Sequence, residues 1–247
     1  MPEISESAWL TTAGWDDVPH LDEDTKRQLL ERTPPYLRDA RSKGTPSLGA
    51  GAIFPIPESE IIVAPFAVPP FWKRCYSLDV GWNRTAALWR AKDPETSINY
   101  LYSEYYAAQQ VPSIHAEAIK ARGKWIPGLI DPAARGRAQK DGEQLMVTYQ
   151  ELGLNLTMAA NAVEAGIYEV WAQLITGRLK VMSHLSNWLG EYRLYRRDEK
   201  GHIIKKNDHL MDDTRYLTNS GDGIEIAKPV LDGFRHASSG GDAKMGY

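Results

Sequence analysis

With 247 residues, 43% of them apolar, and a formal net charge of −3, the chain is long enough for one large domain with flanking segments and a substantial core. Its longest apolar runs, such as Ile61-Ile62-Val63-Ala64, are too short to span a bilayer, and no basic-then-apolar leader opens it. The single Cys75 excludes an internal disulfide and points to a reducing, intracellular setting, with the thiol expected as a buried small hydrophobe.

Residues 1–70 read as a lead-in that holds 6 Lys/Arg against 11 Asp/Glu. A charged helical stretch from about Asp22 to Ser42 is interrupted at Pro34-Pro35, and a segment punctuated by Pro65, Pro69 and Pro70 follows. The packed domain is expected to start near Phe71. From Lys73 to Val80 the residues alternate, with Tyr76, Leu78 and Val80 on one face and Cys75, Ser77 and Asp79 on the other, which predicts a strand with an acid near its end. Turn residues Gly81 to Arg84 lead to a second strand, Thr85 to Ala91; Asp93-Pro94 leads to a third, Ile98 to Tyr106. Short connections make these three an antiparallel meander.

The pattern then changes to helices alternating with short strands. Pro112 opens a helix to about Arg122, and Trp125 to Ile130 is a short strand ending at Asp131, with Pro127 at its edge or start. Asp141 to Leu152 is a helix closed by Gly153, and Leu154 to Thr157 a strand. Val163, Ile167, Val170, Trp171, Leu174 and Ile175 recur at helical spacing up to Gly177, as a core stripe. A strand at Leu179 to Met182, a helix from His184 to about Tyr195 and a last helix from about Asp208 to Thr218 complete the pattern. The order fits an α/β domain, a mixed central β-sheet flanked by helices on both faces, over residues 71–218. Beyond Asn219 the Gly- and Ser-rich residues 219–247 are expected to form a flexible tail.

Charge is unevenly distributed. The 177 residues after the lead-in carry 23 basic against 21 acidic side chains. Lys120, Arg122, Lys124, Arg135, Arg137 and Lys140 share their stretch with the single acid Asp131, and Arg193, Arg196, Arg197, Lys200, Lys205 and Lys206 form a second group. Such runs are either a solvated face or a surface that tracks phosphates.

Three acids are placed for metal chemistry: Asp79 near the end of the first strand, Asp131 just past a later one, and Asp212 on the last helix. Neighbouring strand ends bring such acids together, and clustered carboxylates call for cations with oxygen-rich coordination, Mg2+ or Mn2+. The bland alternatives are turn formers, helix caps and an acid-rich first helical turn with Asn207 or Asp208 as cap. On the last helix His209 and Asp212 share a face, while Asp213 is expected to turn away by about 100°.

At this point the sequence becomes recognisable. Tyr76-Ser77-Leu78-Asp79-Val80-Gly81, Leu129-Ile130-Asp131-Pro132-Ala133-Ala134 and Asp208-His209-Leu210-Met211-Asp212-Asp213-Thr214-Arg215-Tyr216 resemble, in the same order, the nuclease motifs of the large terminase subunit of tailed double-stranded DNA phages. Gly14-Trp15-Asp16-Asp17-Val18-Pro19-His20-Leu21 resembles the segment leaving the ATPase half in the short-tailed Salmonella and Shigella phage type. The resemblance runs over about residues 14–218 and implies a ribonuclease H-like fold. It implies an endonuclease cleaving concatemeric double-stranded DNA during genome packaging by two-metal hydrolysis. Asp79, Asp131 and Asp212 would be catalytic ligands of two Mg2+ or Mn2+ ions, with His209 beside them. Lys120, Arg122, Lys124, Arg135, Arg137, Lys140, Arg196, Arg197, Lys205 and Lys206 would contact DNA.

The implied partners are double-stranded DNA, the small terminase subunit, the portal protein and the terminase ATPase domain, with no membrane, and the implied location is the host cytoplasm rather than the mature virion. The G-x-x-x-x-G-K-[ST] phosphate loop of the ATPase half is absent, since the sole Gly-Lys pair, Gly123-Lys124, is followed by Trp125. The chain is therefore expected to be a fragment or one half of a split protein, with residues 1–70 leading in from the ATPase. The competing readings are another ribonuclease H-like nuclease, of resolvase or transposase type, and a docking module for DNA or portal without catalysis.

Overall fold

The computed structural model describes residues 3–5, 8–9, 13–33, 42–43, 51–132, 141–198 and 200–229. Ahead of the domain, helix α1 (Glu23–Arg32) starts where Asp22 accepts a hydrogen bond from the Thr25 amide at 2.7 Å, which satisfies one of the free donors of the first turn. A short helix α2 (Glu58–Ile61) leads directly into strand β1 (Ile62–Val63). The meander follows as β2 (Lys73–Asp79), β3 (Thr85–Lys92) and β4 (Asn99–Ala107). After it come α3 (Pro112–Lys120), β5 (Gly128–Ile130), α4 (Asp141–Glu151), β6 (Leu156–Met158), α5 (Val163–Ile175), β7 (Leu179–Met182), α6 (Ser186–Leu194) and α7 (His209–Ser220).

The seven strands form one sheet in the order β1-β7-β4-β3-β2-β5-β6. The meander pairs antiparallel, and the outer strands add in parallel on both sides. Alternation along β2 divides the interior into two layers. Cys75 faces a core built with α5, α6 and α7 that includes Ala86, Leu88, Leu129, Val170, Trp188 and Tyr216. Tyr76 and Leu78 face the other, with Trp89, Ile119, Ile126, Ile130 and Tyr149. A sheet covered on both faces buries both sides of its central strands, so β3 reads as a nearly continuous buried run. This is the layered architecture expected of a ribonuclease H-like domain. The expected burial of Cys75 is also met: burial pushes its thiol up to about 11.

The parallel pair β2–β5 demands a glycine. A Cβ on Gly128 would stand 2.2 Å from the Tyr76 ring, so any larger residue there would displace β5 from the strand it must flank.

Two expected boundaries shift. The break placed at residue 70 is not a break in packing: Ile53, Phe54, Ile56 and Ile61 belong to the core, and β1 extends the sheet through β7. The tail expected from residue 219 is partly built in, because Ile226 bridges to Arg74 and Glu225 is buried. Among the described residues no helix is long and apolar enough to cross a membrane.

Candidate active site

Strand register brings the first two acids together. Leu78 on β2 pairs with Ile130 on β5, and both side chains enter the same core layer. The Asp131 amide then donates to the Leu78 carbonyl at 3.1 Å, continuing the ladder one step past β5. Asp79 and Asp131 thus leave adjacent strand ends on the opposite face, about 4.8 Å apart along the sheet backbone. That face is the one covered by α7.

Helix α7 crosses this edge with a stripe of polar residues. His209 Nδ1 lies 2.7 Å from Asp79 Oδ2, and the Tyr216 hydroxyl donates to Asp131 Oδ1 at 2.6 Å. The two contacts are seven residues apart, two helical turns, so a single helix face meets both strand ends. The helix start is held by Glu191 of α6, whose Oε2 accepts from the Leu210 amide at 2.6 Å. Asp208, one of the two residues offered as cap in the bland alternative, occupies the cap position but makes no side-chain cap bond.

Asp212 sits at the margin of this stripe. Lys205 Nζ lies 3.0 Å from its Oδ2, and Arg215 donates to its Oδ1 at 3.0 Å. Asp213 departs from the expected position. It is fully buried, beneath α7, and the Ser77 hydroxyl donates to its backbone carbonyl at 3.1 Å. Neither carboxylate oxygen of Asp213 has a hydrogen-bond partner among the described residues. The 100° separation of the two acids was expected, but the sheet meets the face of Asp213, leaving Asp212 toward the rim.

Electrostatics record the convergence. Burial raises the Asp79 carboxyl above its ordinary range; His209 opposes that shift, while the negative fields of Asp131 and Asp212 add to it. The hydrogen bond to Asp79 holds the His209 imidazole above its usual range. Burial drives Asp213 well above the ordinary carboxylate range, reinforced by the charge of Asp79. Although its own burial works against a charge, Lys205 is held above its usual range by Asp212 and Asp208. Among the described residues no three His, Cys, Asp or Glu side chains stand in a ready-made metal-ligand arrangement. The acids are tied instead to His209, Tyr216, Lys205 and Arg215, and an incoming divalent ion would have to take these partners' place. The buried, unpartnered oxygens of Asp213 beside Asp79 are the donors that such an ion would satisfy.

The basic residues assigned to DNA divide into groups. Arg135, Arg137 and Lys140 lie outside the described residues. Arg122 is structural: its guanidinium lies 4.6 Å over the Trp89 ring and donates to Ser103 and to the Ala118 and Glu104 carbonyls. Lys120 is bound to the Leu152 carbonyl and Glu117, and Arg197 to Glu164. Lys205 is exposed but paired with Asp208 and Asp212. Lys124, Arg196 and Lys206 remain exposed. Sequence reasoning passed over the roles of Glu191, Tyr216 and Ser77, which hold α7 in place: Tyr216 and Ser77 lie inside the quoted motifs and Glu191 outside them, and each acts through a contact distant in sequence.

No protein-family model matches the sequence. The large terminase subunit of Salmonella phage P22 is 32% identical over 210 residues, which cover 81% of this chain and 42% of that protein. The large terminase subunit of Enterobacteria phage LP7 is 32% identical over the same length, with 81% and 44% covered. The chain therefore spans less than half the length of the curated relatives it matches. Among solved structures, the P22 large terminase nuclease domain superposes with a TM-score of 0.68 at 30% identity, over 73% of this chain and 97% of that domain. The large terminase of thermophilic bacteriophage D6E, in complex with ADP, shares the fold at a TM-score of 0.61 and 21% identity, over 84% of this chain and 54% of that one.

Proposed function

This chain belongs to the phage large terminase family, in its nuclease part, and on that premise we propose that it is a metal-dependent endonuclease that cuts concatemeric double-stranded DNA during genome packaging. The observation that carries the reading is the meeting of Asp79 and Asp131 with the helix that carries Asp213 beside them, both its oxygens buried and unpartnered, and Asp212 at the rim. In this reading Asp79, Asp131 and Asp212 would hold two Mg2+ or Mn2+ ions, with Asp213 as a further ligand. When bound, divalent ions supply an activated water and stabilisation of the leaving oxygen.

The chain's own residues supply positioning and charge. Asp79, whose carboxyl senses the charges of both Asp131 and Asp212, would be the principal ligand. His209, bonded to Asp79, keeps that carboxylate oriented and can hold a proton next to the reacting phosphate. Tyr216 orients Asp131 in the same way. Lys205 and Arg215 offset the charge of Asp212, which lets an acidic cluster persist before an ion or a phosphodiester arrives. The ATPase domain, the small subunit and the portal protein complete the proposed motor around this domain, and its working place is the host cytoplasm.

The test is plasmid relaxation with Mg2+ or Mn2+ and without ATP. Wild type is expected to cut, and Asp79→Asn to lose cutting by about a hundredfold or more, the scale of removing one electrostatic contact from a developing charge. His209→Ala, acting through Asp79, is expected to slow cutting by only about tenfold. A chain that binds DNA but fails to cut with either metal is a docking module, and the proposal then fails.

A further inference from the structure

A cavity of about 270 Å3 opens beside the acids, lined by Arg84, Tyr106, Ser186, Asn187, Glu191 and Asn207 among others. Its place follows from strand register. Asp79 pairs with Ala86, and Ala86 pairs with Tyr106, so Asp79 and Tyr106 lie in one row on one face, two strand spacings or roughly 10 Å apart. The His209 ring stands between them, bonded to Asp79 and 6.4 Å from the Tyr106 ring. The cavity thus lies on the Tyr106 side of the His209 ring, and the acids lie on the other.

Its one cation is Arg84, in the residue just before β3. The guanidinium lies 4.4 Å over the Tyr106 ring. Among the described residues it has no carboxylate within ion-pair distance, whereas Arg90, Arg193, Arg197 and Arg215 are each paired with one. Glu191 is not its counter-ion: one of its oxygens accepts from the Tyr106 hydroxyl and the other from the Leu210 amide. The start of α6 does not supply the charge either, because Glu104 already accepts from the Asn187 and Trp188 amides. What remains is a guanidinium stacked over a ring and without an ion-pair partner among the described residues, surrounded by hydroxyl and amide side chains and by the hydrogen-bonded carboxylate of Glu191. That geometry suits a tetrahedral anion with paired oxygens.

We propose that this cavity seats a backbone phosphodiester of the DNA strand adjacent to the one held at the acids, with Arg84 as its cation. The proposal rests on the nuclease reading. Arg84 would fix the register of the strand over Asp79 and Asp131 without reading bases.

The experiment measures binding of the 247-residue chain to a short DNA duplex by fluorescence anisotropy over a range of salt, with Ca2+ in place of Mg2+. Arg84→Gln keeps the stem and removes the charge. It is expected to make the slope of log K against log salt shallower by about 0.9, the value for one lost phosphate contact. Arg84→Lys is expected to keep the wild-type slope. Arg193→Ala, whose guanidinium is already taken by Glu58, is the matched control and is expected to leave the slope unchanged. Thermal melts establish that each variant is folded; an Arg84→Gln chain that melts early is read through Arg84→Lys, whose loss of the wild-type slope would overturn the proposal. Equal slopes for wild type and Arg84→Gln, or an equal loss in Arg193→Ala, also overturn it. Plasmid relaxation run in parallel separates the two readings: cutting with an unchanged slope removes the phosphate subsite alone, and no cutting in any metal removes the nuclease reading beneath it.

Discussion

At the scale of single residues, the contrast between Asp212 and Asp213 carries the most information. Asp213 is fully buried without a hydrogen-bond partner for its carboxylate, and burial raises its carboxyl well above the ordinary range. An acid whose folded-state pKa is raised costs stability once the pH passes its unfolded value near 3.9, and the cost grows until the folded group has also ionised. Asp213→Asn is therefore expected to melt higher than wild type in EDTA at neutral pH, with the gap closing as the pH falls toward 4. In the presence of Mn2+ the same variant is expected to lose cutting, since the amide cannot compensate a divalent charge. A variant that melts no higher at neutral pH and still cuts would place Asp213 among ordinary buried polar groups. The strand-end acids were legible in the sequence because a period of two assigns each side chain to a face. The choice between two neighbouring acids on α7 was not, because only the packing of Leu210, Met211, Thr214 and Leu217 decides which face meets the sheet.

At the scale of elements, the sheet and its helices hold one another through buried charge as well as apolar packing. Arg90 on β3 donates to the Leu217 carbonyl near the end of α7 at 2.9 Å, and to Asp222 and Glu225 at 2.6 and 2.7 Å. The arrangement complements the negative end of the α7 dipole and explains Gly221, where a Cβ would stand 2.8 Å from the Arg90 guanidinium carbon. Arg90 and Glu225 are both almost fully buried, so removing one partner strands the other. Arg90→Ala is expected to destabilise the domain by about 3–5 kcal/mol, and the double change Arg90→Met with Glu225→Leu to recover most of that loss. Urea melts of the single and double variants measure both; an Arg90→Ala chain within about 1 kcal/mol of wild type would mean that the pair contributes no more than a surface bridge does. Element identity and order were legible from periodicity and punctuation, including the meander and each helix after it. The role of Arg90 and Arg122 was not. A basic residue reads the same in sequence whether its guanidinium lies in solvent or, like Arg122, on Trp89.

For the whole molecule, the question is where the cooperative unit begins and ends. Composition placed its limits at residues 71 and 218, because Pro, Gly and Ser mark linkers and tails. Packing widens them on both sides, through β1 at the front and through residues 222–226 at the back. Isolated apolar residues such as Ile53 and Phe54, and a backbone bridge such as that of Ile226, carry no period, so their docking is invisible until the sheet that receives them exists. This yields a pair of truncations with opposite expected outcomes. Removing residues 230–247 leaves the Arg90 pairs and the Ile226 bridge intact, so the chain is expected to melt as the full chain does and to cut DNA at the same rate. Removing residues 220–247 deletes Asp222, Glu225 and Ile226 together and leaves the Arg90 charge buried without an anion. That chain is expected to unfold at lower urea, by at least the amount lost in Arg90→Ala, and to lose cutting as α7 loosens over Asp79 and Asp131. The decisive comparison is the urea midpoint of the two truncations at equal slope. Equal midpoints would return residues 220–229 to the tail and confine the domain to the limits that composition suggests.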